Sequence, residues 1–182
     1  STGRGDASCG ITHGILHRLL KLVQRNQWST PSKEIYLRWN VFCDVSGPPP
    51  QDGARPTRDP KLLSRELIRR FLVEELPATF WVFLLKKIQA ESRDSGLAEM
   101  WTDFCDRHAP RLPGDSSRAV RDPRHLEPDF LLSFIATALE GDDQSGGNLA
   151  TIIDAYAFDF SNPGPARKGD KFVKEEYRDI GF

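Results

Sequence analysis

A chain of 182 residues with 38% hydrophobic and 28% charged residues is the length of one domain and too apolar to remain disordered. Its formal net charge of -1 excludes a general attraction to nucleic acid or to an anionic membrane, so such binding would need a local patch. Three cysteines are too few for a disulfide framework and no signal-peptide pattern is visible, which predicts an intracellular protein, cytoplasmic or nuclear.

The first predicted helix covers residues 11–26. Its large apolar residues recur every three or four positions, which places them on one face: Ile11, Ile15, Leu16, Leu19, Leu22 and Val23. We expect residues 1–8, which precede this helix, to be flexible.

Residues 30–45 fit two interpretations. Pro31 followed by Glu34 is typical of a helix start. The apolar residues, however, alternate as in a strand: Ile35, Leu37, Trp39 and Val41. We favour the helix, because no other segment alternates well enough to pair with such a strand.

Residues 46–60 form a loop by composition, since three consecutive prolines and Gly53 exclude a helix. Asp59 and Pro60 are then suited to cap and open a third helix. The expected buried stripe of this helix is Leu62, Leu63, Leu67, Phe71 and Leu72. Pro77 should end or kink it, because proline lacks the N–H that a helix requires.

The most apolar stretch of the chain is the run of six large residues at 80–85. It is far shorter than the roughly 18–20 residues that a membrane span needs, and charged residues lie on both sides of it. We therefore expect no membrane span here. A helix over about 78–91, apolar on nearly every side, is predicted to lie at the centre of the fold.

Three further helices are predicted in the second half of the chain. The first covers 97–108 and has Leu97, Met100, Trp101, Phe104, Cys105 and His108 on one face. After a loop at 109–127, a helix begins at Pro128 and should stop at Gly141. The third begins near Leu149, and a short helix in the C-terminal tail is a further expectation. The sequence thus predicts an all-α fold, one irregular bundle of six or seven helices that forms a single domain over residues 1–182.

The loop at 109–127 carries a group of arginines that is a candidate contact surface: Arg111, Arg118, Arg121 and Arg124. Guanidinium groups match phosphate and carboxylate, so this loop is a possible site for nucleic acid, a phosphate group or an acidic partner. Asp115 and Asp122 partly cancel its charge. No aromatic residues are interleaved for stacking, which disfavours single-stranded nucleic acid.

A metal site is a weaker hypothesis. Cys9, His13 and His17 are spaced by four, so a helix would place them along one edge, and thiolate and imidazole are zinc ligands. This pattern would support a metal-dependent enzyme if a fourth ligand came from elsewhere. Two histidines at the border of a polar face are the more ordinary interpretation.

Motifs that identify an enzyme are missing from the sequence. It contains no phosphate-binding glycine loop, no dinucleotide fingerprint, no nucleophile elbow and no paired zinc CxxC. We therefore expect no catalytic residues and no cofactor, and predict that the domain binds another protein as an adaptor, scaffold or regulatory module. The arginine-rich loop and the proline-rich loop at 46–60 are its candidate contact surfaces.

Overall fold

The computed structural model describes residues 11–24, 34–92 and 96–161. Over these residues the chain forms seven α-helices: α1 (His13–Gln24), α2 (Glu34–Ser46), α3 (Arg65–Arg70), α4 (Ala78–Glu91), α5 (Leu97–His108), α6 (Pro128–Ser145) and α7 (Leu149–Ser161). The predicted all-α class is confirmed. The single-domain organisation, the flexible residues 1–8 and the tail helix stay predictions, the last two because they lie outside the described residues.

The core is built from all seven helices, whose buried side chains form one contiguous cluster. α4 packs against α6 and α7, α1 packs against α3, α6 and α7, and α5 lies on the outside of α6. Burying each large apolar side chain contributes about 1.5–3 kcal/mol, so this cluster is the main source of stability.

The structure does not confirm that α4 is the centre of the bundle. α4 has the predicted bounds, and six of its apolar residues are buried. Phe83, however, is only half-buried, and Lys86 and Lys87 are exposed. α6 is buried more continuously, over every residue from 131 to 136.

α2 resolves the ambiguity at residues 30–45 in favour of a helix from Glu34 onwards. Ile35, Trp39 and Cys43 are buried at helical spacing against the core. Leu37 and Val41, which alternate with Ile35 and Trp39 in the sequence, lie on the opposite side of the same helix. α2 therefore has two apolar faces, of which the core covers one.

The predicted start of the third helix was wrong. Asp59 and Pro60 open a short 3-10 turn, Pro60–Leu62, and the α-helix begins only at Arg65, after Ser64 has capped the N–H of Leu67. As a result Leu62 is exposed, whereas Leu63 and Leu67 are buried. Two strong cap residues five positions apart compete here, and the one nearer the buried stripe defines the helix.

The junction between α3 and α4 is a π-helical turn, Phe71–Glu75, followed by Leu76 and Pro77. Pro77 ends this segment as predicted and is the N-cap of α4. The indole N–H of Trp81 in α4 donates to the carbonyl of Leu72 at 3.0 Å, in a fully buried position. This hydrogen bond joins α4 to the segment before it.

The helix that begins at Pro128 does not stop at Gly141, as predicted, but continues to Ser145. Gly146 ends it in the left-handed conformation, φ 73°. A glycine in the interior of a helix costs about 1 kcal/mol but does not break it, whereas the left-handed C-terminal position strongly favours glycine.

Part of the predicted loop at 109–127 is a β-hairpin. Strands β1 (Arg111–Leu112) and β2 (Asp115–Ala119) pair antiparallel. Between them Gly114 has φ 82°, which a type II turn with Pro113 at its second position requires. The hairpin packs on α5, which holds it at the edge of the bundle.

Replacement of Trp81 with Phe should lower the free energy of unfolding by about 2–4 kcal/mol, because it leaves the buried Leu72 carbonyl without a donor and opens a cavity. Trp101→Phe is the matched control. Its indole N–H also donates to a backbone carbonyl, that of Arg121, at 3.1 Å, but at a partly exposed site. We expect the control to lose about half as much in urea unfolding; equal losses would contradict the role given to the α3–α4 junction.

Candidate functional site

An exposed apolar stripe runs along the outer face of α2. Leu37, Val41 and Val45 are one turn apart, and they are 54%, 63% and 80% exposed. Single exposed apolar residues are normal on a protein surface, but a contiguous patch marks a contact site. We call these three residues the α2 stripe.

A groove runs beside the α2 stripe, between α2 and the end of the π-helical turn. Its volume is about 470 Å³, and it is lined by Leu37, Arg38, Val41, Phe42, Val45, Ser46 and Glu75. Arg38 donates a hydrogen bond across it, from its guanidinium to the backbone carbonyl of Glu75 at 3.0 Å. The two sides of the groove are thereby held together.

The floor of the groove is rigid because it belongs to the aromatic core. The ring of Phe42 lies edge-on to that of Phe71, with centroids 5.5 Å apart, and Trp39 lies edge-on to Phe71 at 5.0 Å. The guanidinium of Arg70 lies over the Phe42 ring at 5.7 Å, a cation–π contact. A groove with such a floor is formed before any partner arrives.

Some charged residues near the groove form ion pairs and others do not. Arg70 pairs with Glu74 at 3.5 Å, and Arg58 pairs with Asp44 at 2.6 Å. The hydrogen bonds from Arg58 lower the pKa of the Asp44 carboxyl. By contrast, the half-buried residue Glu75 makes no ion pair with any described residue, and its backbone carbonyl accepts a hydrogen bond from Arg38.

The proline-rich loop at 46–60 is fastened to α2 at its far end. The indole N–H of Trp39 donates to the carbonyl of Arg58 at 2.8 Å, while the Arg58 guanidinium reaches Asp44. Residues 48–55 between these anchors are exposed. The role of the proline-rich loop as a contact surface stays a prediction.

Three of the four arginines in the predicted arginine-rich loop are hydrogen-bonded to Asp106 or Asp122. Arg111 and Arg121 both turn back to Asp106 of α5: Arg111 donates to its backbone carbonyl at 2.9 Å, and Arg121 to its carboxylate at 2.8 Å. Two of the four arginines therefore fasten the hairpin to α5.

Of the other two arginines, Arg124 pairs with Asp122 at 2.7 Å, and the hydrogen bonds from Arg124 hold the pKa of that carboxyl well below its usual range. Arg118, on the exposed face of β2, makes no ion pair within the described residues. The structure thus brings only Arg111 and Arg121 to a common partner, and aspartates offset most of the charge of this loop.

The metal hypothesis is only partly within the described residues, because Cys9 lies outside them. The rings of His13 and His17 are stacked, with centroids 6.3 Å apart and planes 6° apart. His13 Nε2 lies 2.9 Å from the carbonyl of Leu63, and a carbonyl only accepts, so this nitrogen donates and is not free to bind a metal. Among the described residues, no group of three or more potential ligands could hold a metal ion.

His17 lies in an environment that disfavours its charge. Burial lowers its pKa, and Lys21, His13 and Lys61 lower it further. Its Nε2 is buried with no hydrogen-bond partner among the described residues. His13 and His17 are therefore best described as a packing contact of α1 against the segment around Leu63.

Two of the cysteines are not available as nucleophiles. Cys43 and Cys105 are buried free thiols, and burial raises the pKa of Cys43 to about 11 and that of Cys105 to about 12. At neutral pH both remain thiols, which are far less nucleophilic than thiolates.

Sequence reasoning missed the α2 stripe. The signal was present in the residues themselves: plotted on a helix, Leu37, Val41 and Val45 fall away from Ile35, Trp39 and Phe42. The alternation of Leu37 and Val41 with Ile35 and Trp39 was interpreted only as evidence for a strand, and the helix was not examined for a second apolar face.

Comparison of the chain with models of protein families, with curated proteins and with solved structures found no match. In the described part of the chain, none of the helices has the length and apolar character needed to cross a bilayer.

Stability should fall as the pH drops below 6.5, because His17 has a lowered pKa in the folded state and an ordinary one in the unfolded chain. The unfolded state then takes up a proton more readily than the folded state. The contribution of His17 is therefore complete above pH 6.5 and is lost as the pH falls through the folded pKa. His17→Gln should flatten the pH dependence of the urea-derived stability between pH 7 and 5, whereas Gln51→Ala, an exposed substitution that removes no titratable group, should keep the wild-type slope. An unchanged slope in His17→Gln would refute this account.

In the folded protein, Cys43 and Cys105 should react with a thiol reagent such as DTNB at least a hundredfold more slowly than in denaturant, because both are buried thiols. A Cys9→Ser variant isolates these two groups in the measurement. Rapid reaction of both thiols under native conditions would show that the core around α2 and α5 opens readily.

Proposed function

We propose that this chain is a protein-binding helical domain with an adaptor, scaffold or regulatory role, and that it binds its partner through the α2 stripe and the adjoining groove. One observation carries the proposal: three large apolar residues in register are exposed on α2 beside a preformed groove. Exposed apolar surface is costly in water, and covering it with a partner recovers that free energy.

The composition of the groove favours binding over catalysis. Leu37, Val41, Phe42 and Val45 supply most of its lining. An active site needs several polar groups that converge on one point, and here Arg38 is bonded to a backbone carbonyl. An apolar centre with charges at the rim is instead the usual anatomy of a protein interface.

The two alternative functions stay predictions. Binding of nucleic acid or an acidic partner through the arginine-rich loop would have to rely largely on Arg118, since Asp106 and Asp122 engage the other three arginines. A metal-dependent enzyme would need Cys9, which is outside the described residues. The intracellular location is likewise a prediction, which the free thiols Cys43 and Cys105 favour.

Val41→Glu should abolish partner binding without harming the fold, because Val41 is exposed and a charge there would have to be buried in the complex. Leu62→Glu is the control: it changes the net charge equally at another exposed apolar residue, outside the groove. Each variant should change the free energy of unfolding by no more than about 0.5 kcal/mol.

The measurement is quantitative affinity capture from cells of the source organism with the wild type and both variants. Proteins that the wild type and Leu62→Glu retain, and that Val41→Glu loses at least tenfold, are partners of the groove. If the three baits capture the same proteins in equal amounts, the α2 surface is not the binding site.

A further inference from the structure

The α2 groove offers mainly side chains. One wall is α2, whose backbone is hydrogen-bonded within the helix except in its last turn, and the other is the end of the π-helical turn, where Arg38 already occupies the carbonyl of Glu75. An extended peptide covering the groove would leave its own backbone N–H and C=O groups without partners, and burying such groups is costly. A helix satisfies its backbone internally, so a helical segment fits this surface best.

The dimensions of the α2 stripe limit how much of such a helix can make contact. From Leu37 to Val45 it extends for eight residues, about 12 Å at 1.5 Å per residue. A partner helix can thus cover it with two to three turns. Because the stripe is an i, i+4 ridge, apolar residues on the partner should recur at positions i, i+4 and i+7 or i+8.

Covering the groove would bury the charge of one acidic residue, Glu75. Glu75 is a half-buried residue that lines the groove, and it makes no ion pair with any described residue, whereas its neighbour Glu74 is already paired with Arg70. A docked helix would shield Glu75 further from water. Burying an unpaired carboxylate costs several kcal/mol, so a partner that covers the groove has to bring a cation to this position.

We infer that the occupant of the α2 groove is an amphipathic helix of another protein, with an apolar stripe for Leu37, Val41 and Val45 and a lysine or arginine that pairs with Glu75. This inference rests on the proposed function and specifies the partner's chemistry. Val41→Glu removes the apolar contact, and Glu75→Lys reverses the charge, so the two parts can be tested separately.

The probe is a displayed library of three-turn helical peptides with randomised outward-facing positions, selected against the full chain. Enriched clones should carry apolar residues at i, i+4 and i+7 or i+8 and a basic residue on one flank. Their affinity should fall at least tenfold with Val41→Glu and about tenfold with Glu75→Lys, and should stay within twofold of the wild type with Leu62→Glu. Selection against Glu75→Lys should replace the basic residue with Asp or Glu.

The outcomes separate the two proposals. Suppose that Val41→Glu abolishes binding of the selected clones, but that the clones carry no preferred basic residue and bind Glu75→Lys as tightly as the wild type. The inferred partner chemistry would then be wrong, and the α2 surface would remain a binding site. If no clone depends on Val41 while the wild type sediments as a dimer that Val41→Glu dissociates, the occupant is a second copy of this chain, and the inference is wrong. If no clone depends on Val41 and the chain sediments as a monomer, both proposals fail.

Discussion

The hydrogen bond from the Trp81 indole to the Leu72 carbonyl joins α4 to the π-helical turn that precedes it. It holds the π-helical turn against α4, and that turn places Phe71 beneath α2 and Glu75 beside it. Because Trp81 and Phe71 are fully buried, neither can move without opening a cavity in a close-packed interior. The position of the surface groove is thus set by a contact in the core.

α2 is unusual among the described helices because it presents apolar side chains both to the core and to water. Trp39 and Cys43 face the core, and Val41 and Val45 face water at helical spacing. An apolar outer face adds nothing to folding stability and exposes the chain to unwanted association, so it needs another explanation. The proposed contact with a partner protein would provide one, and the hydrogen bond between Arg38 and the Glu75 carbonyl joins the two sides of the groove.

The sequence was most informative where proline bounds a helix with closely spaced apolar residues. The bounds of α4 and α5 follow from Pro77, Pro110 and the spacing of their buried residues. It was less informative where signals compete: Ser64, and not Asp59, caps α3, and Gly141 lies inside α6. The hairpin depends on Arg121 reaching Asp106, a tertiary contact that local patterns do not contain. The helix favoured for residues 30–45 already places Leu37, Val41 and Val45 on one side, but their exposure depends on how α2 packs, which local patterns do not contain.

The way in which Trp39 and Asp44 hold Arg58 also separates the proline-rich loop from the rest of the molecule. Both ends of this loop are anchored close to α2, and the residues between them are exposed. The entropic cost of closing such a loop grows only slowly with its length. Residues 48–55 thus offer a natural place to insert an epitope tag or a fluorescent module without displacing the groove. Over evolutionary time, the same arrangement allows this segment to lengthen or shorten while the helices that it joins stay in register.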